Sequence, residues 1–270
     1  MGFATKKKFF ALTLASTLIA GYAGSASSMQ AMDPNGPTAP PSNAPSVGSS
    51  YFSKHFSTDA LSIDVKNAVL QANLAPVSFK RITVHTRDQV TARGEGTGQP
   101  NQATYTVTIE MEDGGHGLVR QTQSAQSRDG NTIVRFELSY RGYFPFLTQS
   151  VPANADSLPP VIEARKVMHF DTHTDGHINF TYLYGPSGKP TFADPGQVIC
   201  DSGKSYSASE LNPAIQGQAL ELNCQNVDTN GMTTSKIKLA YLENYGVALM
   251  VHTQNPESSL DSTIVDFTAE

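Results

Sequence analysis

Tryptophan is absent from this 270-residue chain, and charged residues are scarce, at 16%. A coiled coil or a helical bundle needs many Glu, Lys, Ala and Leu residues, whereas this chain contains 21 Gly and 16 Pro. The net charge of −5 is small for the length, which argues against an intrinsically disordered protein. The lack of Trp also slightly disfavours glycan binding, although Tyr and Phe can stack on sugars.

Basic runs are missing beyond the first eight residues. From there on, no run of Lys or Arg is longer than two, as at Lys80-Arg81. A nucleic-acid-binding protein or a protein that binds anionic membranes needs a basic patch. We therefore expect no nucleic-acid partner.

The N-terminus has the three parts of a secretory signal peptide. Lys6, Lys7 and Lys8 precede an uncharged apolar stretch at Phe9–Ala20, and small residues follow up to Ala26. The apolar stretch is shorter than the roughly 20 residues that a membrane-spanning helix needs. We expect cleavage near Ala26 and a periplasmic or secreted protein with no later transmembrane segment. An uncleaved anchor is the alternative.

The mature chain divides by composition. Residues 27–50 are rich in Pro, Ser and Ala and predict a disordered tether. Residues 51–270 then form a single β-rich domain, whose two halves would join at the proline-containing stretch 151–162.

The cysteine count is two, at Cys200 and Cys224. An even count in an exported chain predicts a disulfide, which would stabilise the fold by about 3 kcal/mol in the chain-entropy model. A pair of buried free thiols is the alternative. We expect the loop that the bond closes to contain a turn at 201–203.

Alternating apolar and polar residues predict the fold class. Residues 104–112 alternate in the clearest half-buried strand, and similar segments follow between turns rich in Gly, Asn and Asp. About ten such segments predict an all-β antiparallel meander, built as a two-sheet sandwich or a curved half-barrel. One short helix is expected within Thr58–Ala72, with Thr58 as N-cap, although Leu61, Ile63 and Val65 also alternate as a strand would.

Aromatic residues crowd one corner of the chain. The group forms either an apolar ligand patch or a core corner where the chain changes direction. Its members are Tyr140, Tyr143, Phe144 and Phe146.

Three of the seven His residues fall in one short segment, at His169, His173 and His177. A two-residue turn before His177 would mix polar and apolar residues on each face of the hairpin. A three-residue turn that ends in a left-handed Gly176 separates the two faces. We therefore predict this second register, with His173 opposite His177 and Asp171 on the same face.

This register places Asp171 opposite Asn179 and His169 opposite Thr181. Opposed imidazoles about 5 Å apart can share an ion, and two or three imidazoles with a carboxylate suit Zn²⁺ or another transition metal. The alternative is a solvated polar face, because ligand geometry on a half-exposed hairpin needs supporting contacts. The metal hypothesis uses His169, Asp171, His173 and His177.

Catalytic motifs are missing from the sequence. It contains no Gly-x-Ser-x-Gly elbow, no His-Glu-x-x-His helix and no phosphate-binding Gly-x-x-x-x-Gly-Lys loop. The sequence therefore predicts an exported, non-enzymatic, monomeric β protein of the bacterial envelope, without a cofactor. It would bind an apolar small molecule, a lipid or an envelope component. The alternatives are a metalloprotein that uses the hairpin, and a hydrolase built from dispersed carboxylates.

Overall fold

The computed structural model describes residues 49–92, 101–128, 130–152, 155, 157–189 and 193–270. The predicted signal peptide and most of the predicted tether lie outside the described residues. Two α-helices, two 3-10 turns and twelve strands occupy these ranges. They are α1 Ser49–His55, a 3-10 turn Thr58–Ala60, α2 Ile63–Ala72, β1 Arg81–Ala92, β2 Asn101–Gly115, β3 Leu118–Ser127, β4 Thr132–Tyr140, β5 Phe144–Pro152, β6 Ile162–Phe170, β7 His177–Pro186, β8 Asp194–Ser207, a 3-10 turn Ala208–Glu210, β9 Gln218–Val227, β10 Thr233–Leu242, β11 Val247–Gln254 and β12 Ser258–Ala269.

The strands form one closed antiparallel barrel in which each strand pairs with its neighbours in sequence. The first strand closes it: Val84 of β1 lies opposite Ile109 of β2 on one side and opposite Phe267 of β12 on the other. The predicted all-β antiparallel meander is confirmed. The expectation of about ten strands in a sandwich or half-barrel is wrong, because closure of the sheet removes both of its edges.

Two strands were missed because their sequences do not alternate. Strand β5 runs through the predicted aromatic corner and into the predicted connection, and it carries Pro145 and a bulge that leaves Phe146 unopposed. Strand β8 contains Pro195 and Gly196, and the residues 201–203 lie within it rather than in a turn. Proline and glycine are depleted in strand interiors and are common at bulges, so their presence kept both segments from being recognised as strands in the sequence.

Strand β1 shows how the barrel separates its faces. Its inward positions, from Ile82 and Val84 to Val90, are at most 4% exposed. The outward positions that alternate with them include Arg81 and Arg87, both exposed. The buried face of β1 therefore lies inside the barrel, and this part of the outer wall is polar.

The helices cover one part of the barrel wall. Phe136 of β4 contacts the rings of Phe52 and Phe56 at centroid distances of 5.2 and 5.6 Å. The expected helix exists but begins later than predicted, because the 3-10 turn precedes it and the N-cap is Ser62 rather than Thr58. None of the helices in the described residues is long and apolar enough to cross a bilayer.

The barrel wall has a weak seam between β5 and β6. Only two residue pairs join these strands, Leu147 with Glu163 and Thr148 with Ile162. Backbone groups further along β6 therefore bond elsewhere, and the hydroxyl of Ser62 donates to the carbonyl of Arg165 at 2.9 Å. The N-cap of α2 thus ties the helix to the wall at this seam.

A second weak seam separates β11 from β12, which pair only over His252–Gln254 and Ser259–Asp261. The segment between β8 and β9 covers it. The side-chain amide of Asn212 donates to the carbonyl of Ile264 at 3.3 Å, and Ile215 is buried in the same apolar cluster as Ile264. Each seam is therefore backed by a helical segment instead of a full strand ladder.

Candidate ligand-binding site

A cavity of about 130 Å³ lies in the barrel lumen. Side chains from eleven of the twelve strands line it, all except β6, together with the turn between β4 and β5. A space reached by so many strands belongs to the interior of the barrel rather than to a surface groove. Its lining divides into a polar part and an apolar part.

Asp88 is the central polar group of the lumen. It takes an inward position on β1 and is 3% exposed. Its Oδ1 accepts hydrogen bonds from the hydroxyls of Thr86, at 2.7 Å, and Ser262, at 2.6 Å. Burial raises the pKa of Asp88, and the two hydroxyls only partly oppose that effect. Within the described residues no cation pairs with this carboxylate.

Arg135 and Glu137 form a second polar group on β4. They are two residues apart and therefore share the inward face, where the guanidinium donates to the Glu137 carboxylate at 2.9 Å. Gln121 and Gln123 of β3 also line the cavity, and Gln123 is 7% exposed. Since Asp88, Arg135 and Glu137 are the charged residues of the lining, its formal charge is −1.

The turn between β4 and β5 places Tyr143 at the cavity. Arg141 and Gly142 both have positive φ, as in a type I′ hairpin turn, and the Tyr143 N–H donates to the Tyr140 carbonyl at 3.1 Å. The turn is held against β11 by the N–H of Ala248, which donates to the Arg141 carbonyl at 2.8 Å. That N–H is available because β11 pairs with β12 only at its other end.

The hydroxyl of Tyr143 is buried and has no hydrogen-bond partner among the described residues. Tyr143 is 6% exposed, and this burial raises the pKa of its phenol. A buried hydroxyl without a partner costs free energy, about 1–3 kcal/mol in mutational series. Because this oxygen has almost no accessible surface, Tyr143 lines the cavity through its other atoms.

Apart from Asn226 and Ser262, the rest of the lining is apolar. Its large side chains are aliphatic groups from four strands and one tyrosine ring: Ile109, Val198, Ile237, Leu239, Leu249, Met250 and Tyr182. A smaller cavity of about 20 Å³ shares Asp88 and Gln123 with the main one and extends toward Val90 and Leu260. The lumen thus pairs an apolar wall with a few polar groups, which is the usual composition of a small-molecule site.

The residues of the predicted aromatic patch separate in the structure. Tyr143 lines the cavity, whereas Phe144 and Phe146 pack on Phe180 with ring centroids 5.1 and 5.4 Å apart. The hydroxyl of Tyr140 donates to the carbonyl of Thr172 at 2.7 Å. Three of the four residues therefore belong to the core corner, and one belongs to the candidate site.

The predicted disulfide between Cys200 and Cys224 is confirmed. The two residues lie directly opposite each other on β8 and β9, with their Cα atoms 3.9 Å apart. Both are buried, and Cys224 also lines the cavity. The bond therefore joins two strands of the wall beside the candidate site.

The histidine hairpin has the predicted register at His169 and Asp171. His169 lies opposite Thr181, and the Asp171 N–H donates to the Asn179 carbonyl at 3.0 Å. Gly176 has a φ of +70°, which is the left-handed conformation expected at the end of the turn. Regular pairing stops at Phe170, so the predicted three-residue turn with His173 paired to His177 is wrong, and a wider connection leads into β7.

His169 and His173 both approach the Asp171 carboxylate, at 2.9 and 3.9 Å, whereas His177 lies apart from them beside another carboxylate. His169 contacts the Asp171 carboxylate at 2.9 Å, His173 contacts the carbonyl of Asp175 at 2.9 Å, and His177 contacts the Asp201 carboxylate at 2.8 Å. In the part of the chain that the structure describes, no group of three or more His, Cys, Asp or Glu side chains is arranged to hold a metal ion. The metal hypothesis stays a prediction.

Asp171 holds the hairpin connection in place. Burial acts to raise its pKa, but the Asn179 N–H, 2.8 Å from Oδ2, and the imidazole of His169 hold the pKa below its ordinary value. A carboxylate that accepts such bonds has a structural task without any metal.

Sequence analysis missed Asp88, Gln123, Arg135 and Glu137 as site residues. One signal was present, because Asp88 occupies the same phase of the β1 alternation as Ile82, Val84 and Val90. A carboxylate on an inward face is unusual and often marks a functional position. Its neighbours in the lumen, however, lie on strands that are far from it in sequence.

The comparisons with known proteins give no family. No family model and no curated protein matches the chain. One similar solved structure is a β-barrel-like protein of domain of unknown function DUF1849 from Brucella abortus, with 10% identity, a TM-score of 0.45 and coverage of 72% of this chain and 99% of that one. Another is a DUF1329 family protein from Desulfovibrio piger, with 9% identity, a TM-score of 0.32 and coverage of 76% and 90%.

Proposed function

We propose that this protein is an exported, non-enzymatic barrel that binds a small, mainly apolar molecule in its lumen. The observation that carries the proposal is the cavity that eleven strands line, with an apolar wall and a few buried polar groups such as Asp88. Small barrels fill their interiors with side chains, whereas larger ones enclose ligand cavities. A twelve-stranded barrel belongs to the second group.

The size of the cavity sets the size of the ligand. An engineered apolar cavity of about 150 Å³ binds benzene, so a lumen of about 130 Å³ accommodates one group of that size. The ligand is therefore a compact apolar molecule, or the apolar end of a larger envelope component such as a lipid. The rest of such a larger ligand would extend out of the lumen.

Export is supported by two independent features. The tripartite pattern of residues 6–26 is typical of a signal peptide, and a disulfide such as Cys200–Cys224 is typical of proteins in an oxidising compartment. We therefore place the ligand in the periplasm or outside the cell.

The hydrolase alternative has one observation in its favour, because the cavity brings two carboxylates, Asp88 and Glu137, to the same space. Glycoside hydrolysis uses a carboxylate pair on either side of a bond between two sugars. Here Glu137 is engaged by Arg135, and the cavity holds one ring-sized group rather than two linked sugars. Ligand binding therefore agrees better with the geometry.

A thermal-shift experiment with toluene tests the proposal. At ten times its Kd, a ligand that binds only the folded state stabilises it by about 1.4 kcal/mol, which raises Tm by about 3–6 °C for a domain of this size. The variant Val198→Phe places a ring in the lumen and should abolish the shift. Ile199→Phe makes a similar change at the next residue of β8, on the opposite face, and should keep it.

No shift in the parent protein would contradict the proposal. Equal shifts in both variants would place toluene somewhere other than the lumen, and would contradict it as well.

A further inference from the structure

We infer that the lumen selects an apolar molecule that bears a cationic amine. This inference rests on the proposed function and adds the chemistry of the ligand's polar end. It comes from the polar groups that line the cavity, from their charge and from the bonds that they already make.

The charge of the lining is the first step. Arg135 and Glu137 neutralise each other at 2.9 Å, which leaves the carboxylate of Asp88 without a counter-ion among the described residues. A buried carboxylate is costly unless it is paired, and a ligand that brings a positive charge supplies the missing partner. An anionic ligand would add a second unpaired negative charge.

The hydrogen-bonding capacity of the lining is the second step. The bonds to Asp88 from the described residues all use Oδ1, so Oδ2 remains available to accept. Gln121 and Gln123 line the same space, and each side chain carries an amide oxygen that can accept a hydrogen bond. An ammonium group carries three donors and no acceptor, which matches a lining that offers a carboxylate and amide oxygens.

The apolar wall is the third step, because it sets the other end of the molecule. Val198, Ile237 and Leu239 face the same cavity as Asp88. A ring or a short alkyl group against this wall, with an ammonium toward Asp88, satisfies both parts of the lining. The rings of Tyr143 and Tyr182 add faces that attract a cation.

Four matched probes test the inference by isothermal titration calorimetry at pH 7: benzylamine, benzyl alcohol, toluene and benzoate. They share one ring and differ in the polar group. A charge-assisted hydrogen bond predicts that benzylamine binds about ten- to a hundredfold more tightly than toluene, with benzyl alcohol between them and benzoate weakest.

The variant Asp88→Asn identifies the residue responsible. Its amide oxygen still accepts from Thr86 and Ser262, so the fold is retained, but the charge is removed. Benzylamine should lose at least tenfold in affinity while toluene is unchanged. Asp266→Asn removes the same charge from the exposed face of β12 and should change neither.

The outcomes separate the two proposals. If toluene binds in the lumen but benzylamine binds no better, or if Asp88→Asn leaves the preference for benzylamine intact, the amine inference is wrong and the ligand-binding proposal stands. Tighter binding of benzoate would instead make Arg135 the group that recognises the ligand. If no probe binds, both proposals fail.

Discussion

Reduction of the Cys200–Cys224 bond should destabilise the barrel by an amount that follows from its position. The two cysteines are 24 residues apart in sequence, and they already face each other across β8 and β9. The crosslink therefore acts mainly on the unfolded chain. Closure of a loop of this length removes about 3.5 kcal/mol of chain entropy from the unfolded state in the loop-closure model. For a domain of this size, that corresponds to a fall in Tm of about 7–14 °C.

Urea unfolding of the oxidised and reduced protein, followed by circular dichroism, measures the effect. The reduced chain should unfold at lower urea, and its m-value should rise because the unfolded state exposes more surface. The double variant Cys200→Ala/Cys224→Ala is the control for the reductant, and its unfolding should be the same with and without it. Its stability should lie below that of the reduced protein, since two buried sulfur atoms are lost as well.

A reduced protein that melts within 2 °C of the oxidised one would refute the reasoning. It would mean that the segment between the cysteines stays close to its native arrangement in the unfolded state. Alkylation of both thiols in the denatured protein without reductant would show that the bond is absent.

Two further predictions concern the helices and the hairpin. Phe136→Ala should lower the free energy of unfolding in urea by about 3–5 kcal/mol, because it removes a ring that is 4% exposed and contacts Phe52 and Phe56. An unchanged urea midpoint would mean that the helices do not depend on this contact. Zn²⁺ should leave Tm unchanged in the parent and in His177→Ala, because His173 and His177 already have different partners; a rise in the parent that the variant loses would instead support the hairpin metal site.

Local patterns were enough for those features whose partners lie close by in the chain. The register of the β6–β7 hairpin follows from the separation of polar and apolar faces near Gly176, so Asp171 and Asn179 were paired correctly from sequence. Alternation over 104–112 identified β2 for the same reason, since one face of that strand is buried and the other is not. The disulfide could be predicted without any geometry, because two cysteines in a chain with a predicted signal peptide allow one intramolecular bond.

Bulges and proline residues are the reason that the alternation of apolar and polar residues did not identify β5 and β8. The pattern of faces changes phase at a bulge, so the residues around Phe146 look like a corner although the backbone continues as a strand. Two missing strands were sufficient to suggest an open half-barrel. Closure itself depends on the pairing of β1 with β12, which lie at opposite ends of the domain's sequence, and no local pattern specifies that pairing.

The sequence by itself determined the strand class, the two faces of most strands, the hairpin register and the disulfide, since each depends on neighbours a few residues away or on a count of two. Only the tertiary structure decided the lumen. Asp88 accepts a hydrogen bond from Ser262, which is 174 residues away, and shares its cavity with Arg135, Glu137 and Tyr143 because the barrel closes. The turn that carries Tyr143 packs against β11, and that packing follows from the short pairing between β11 and β12.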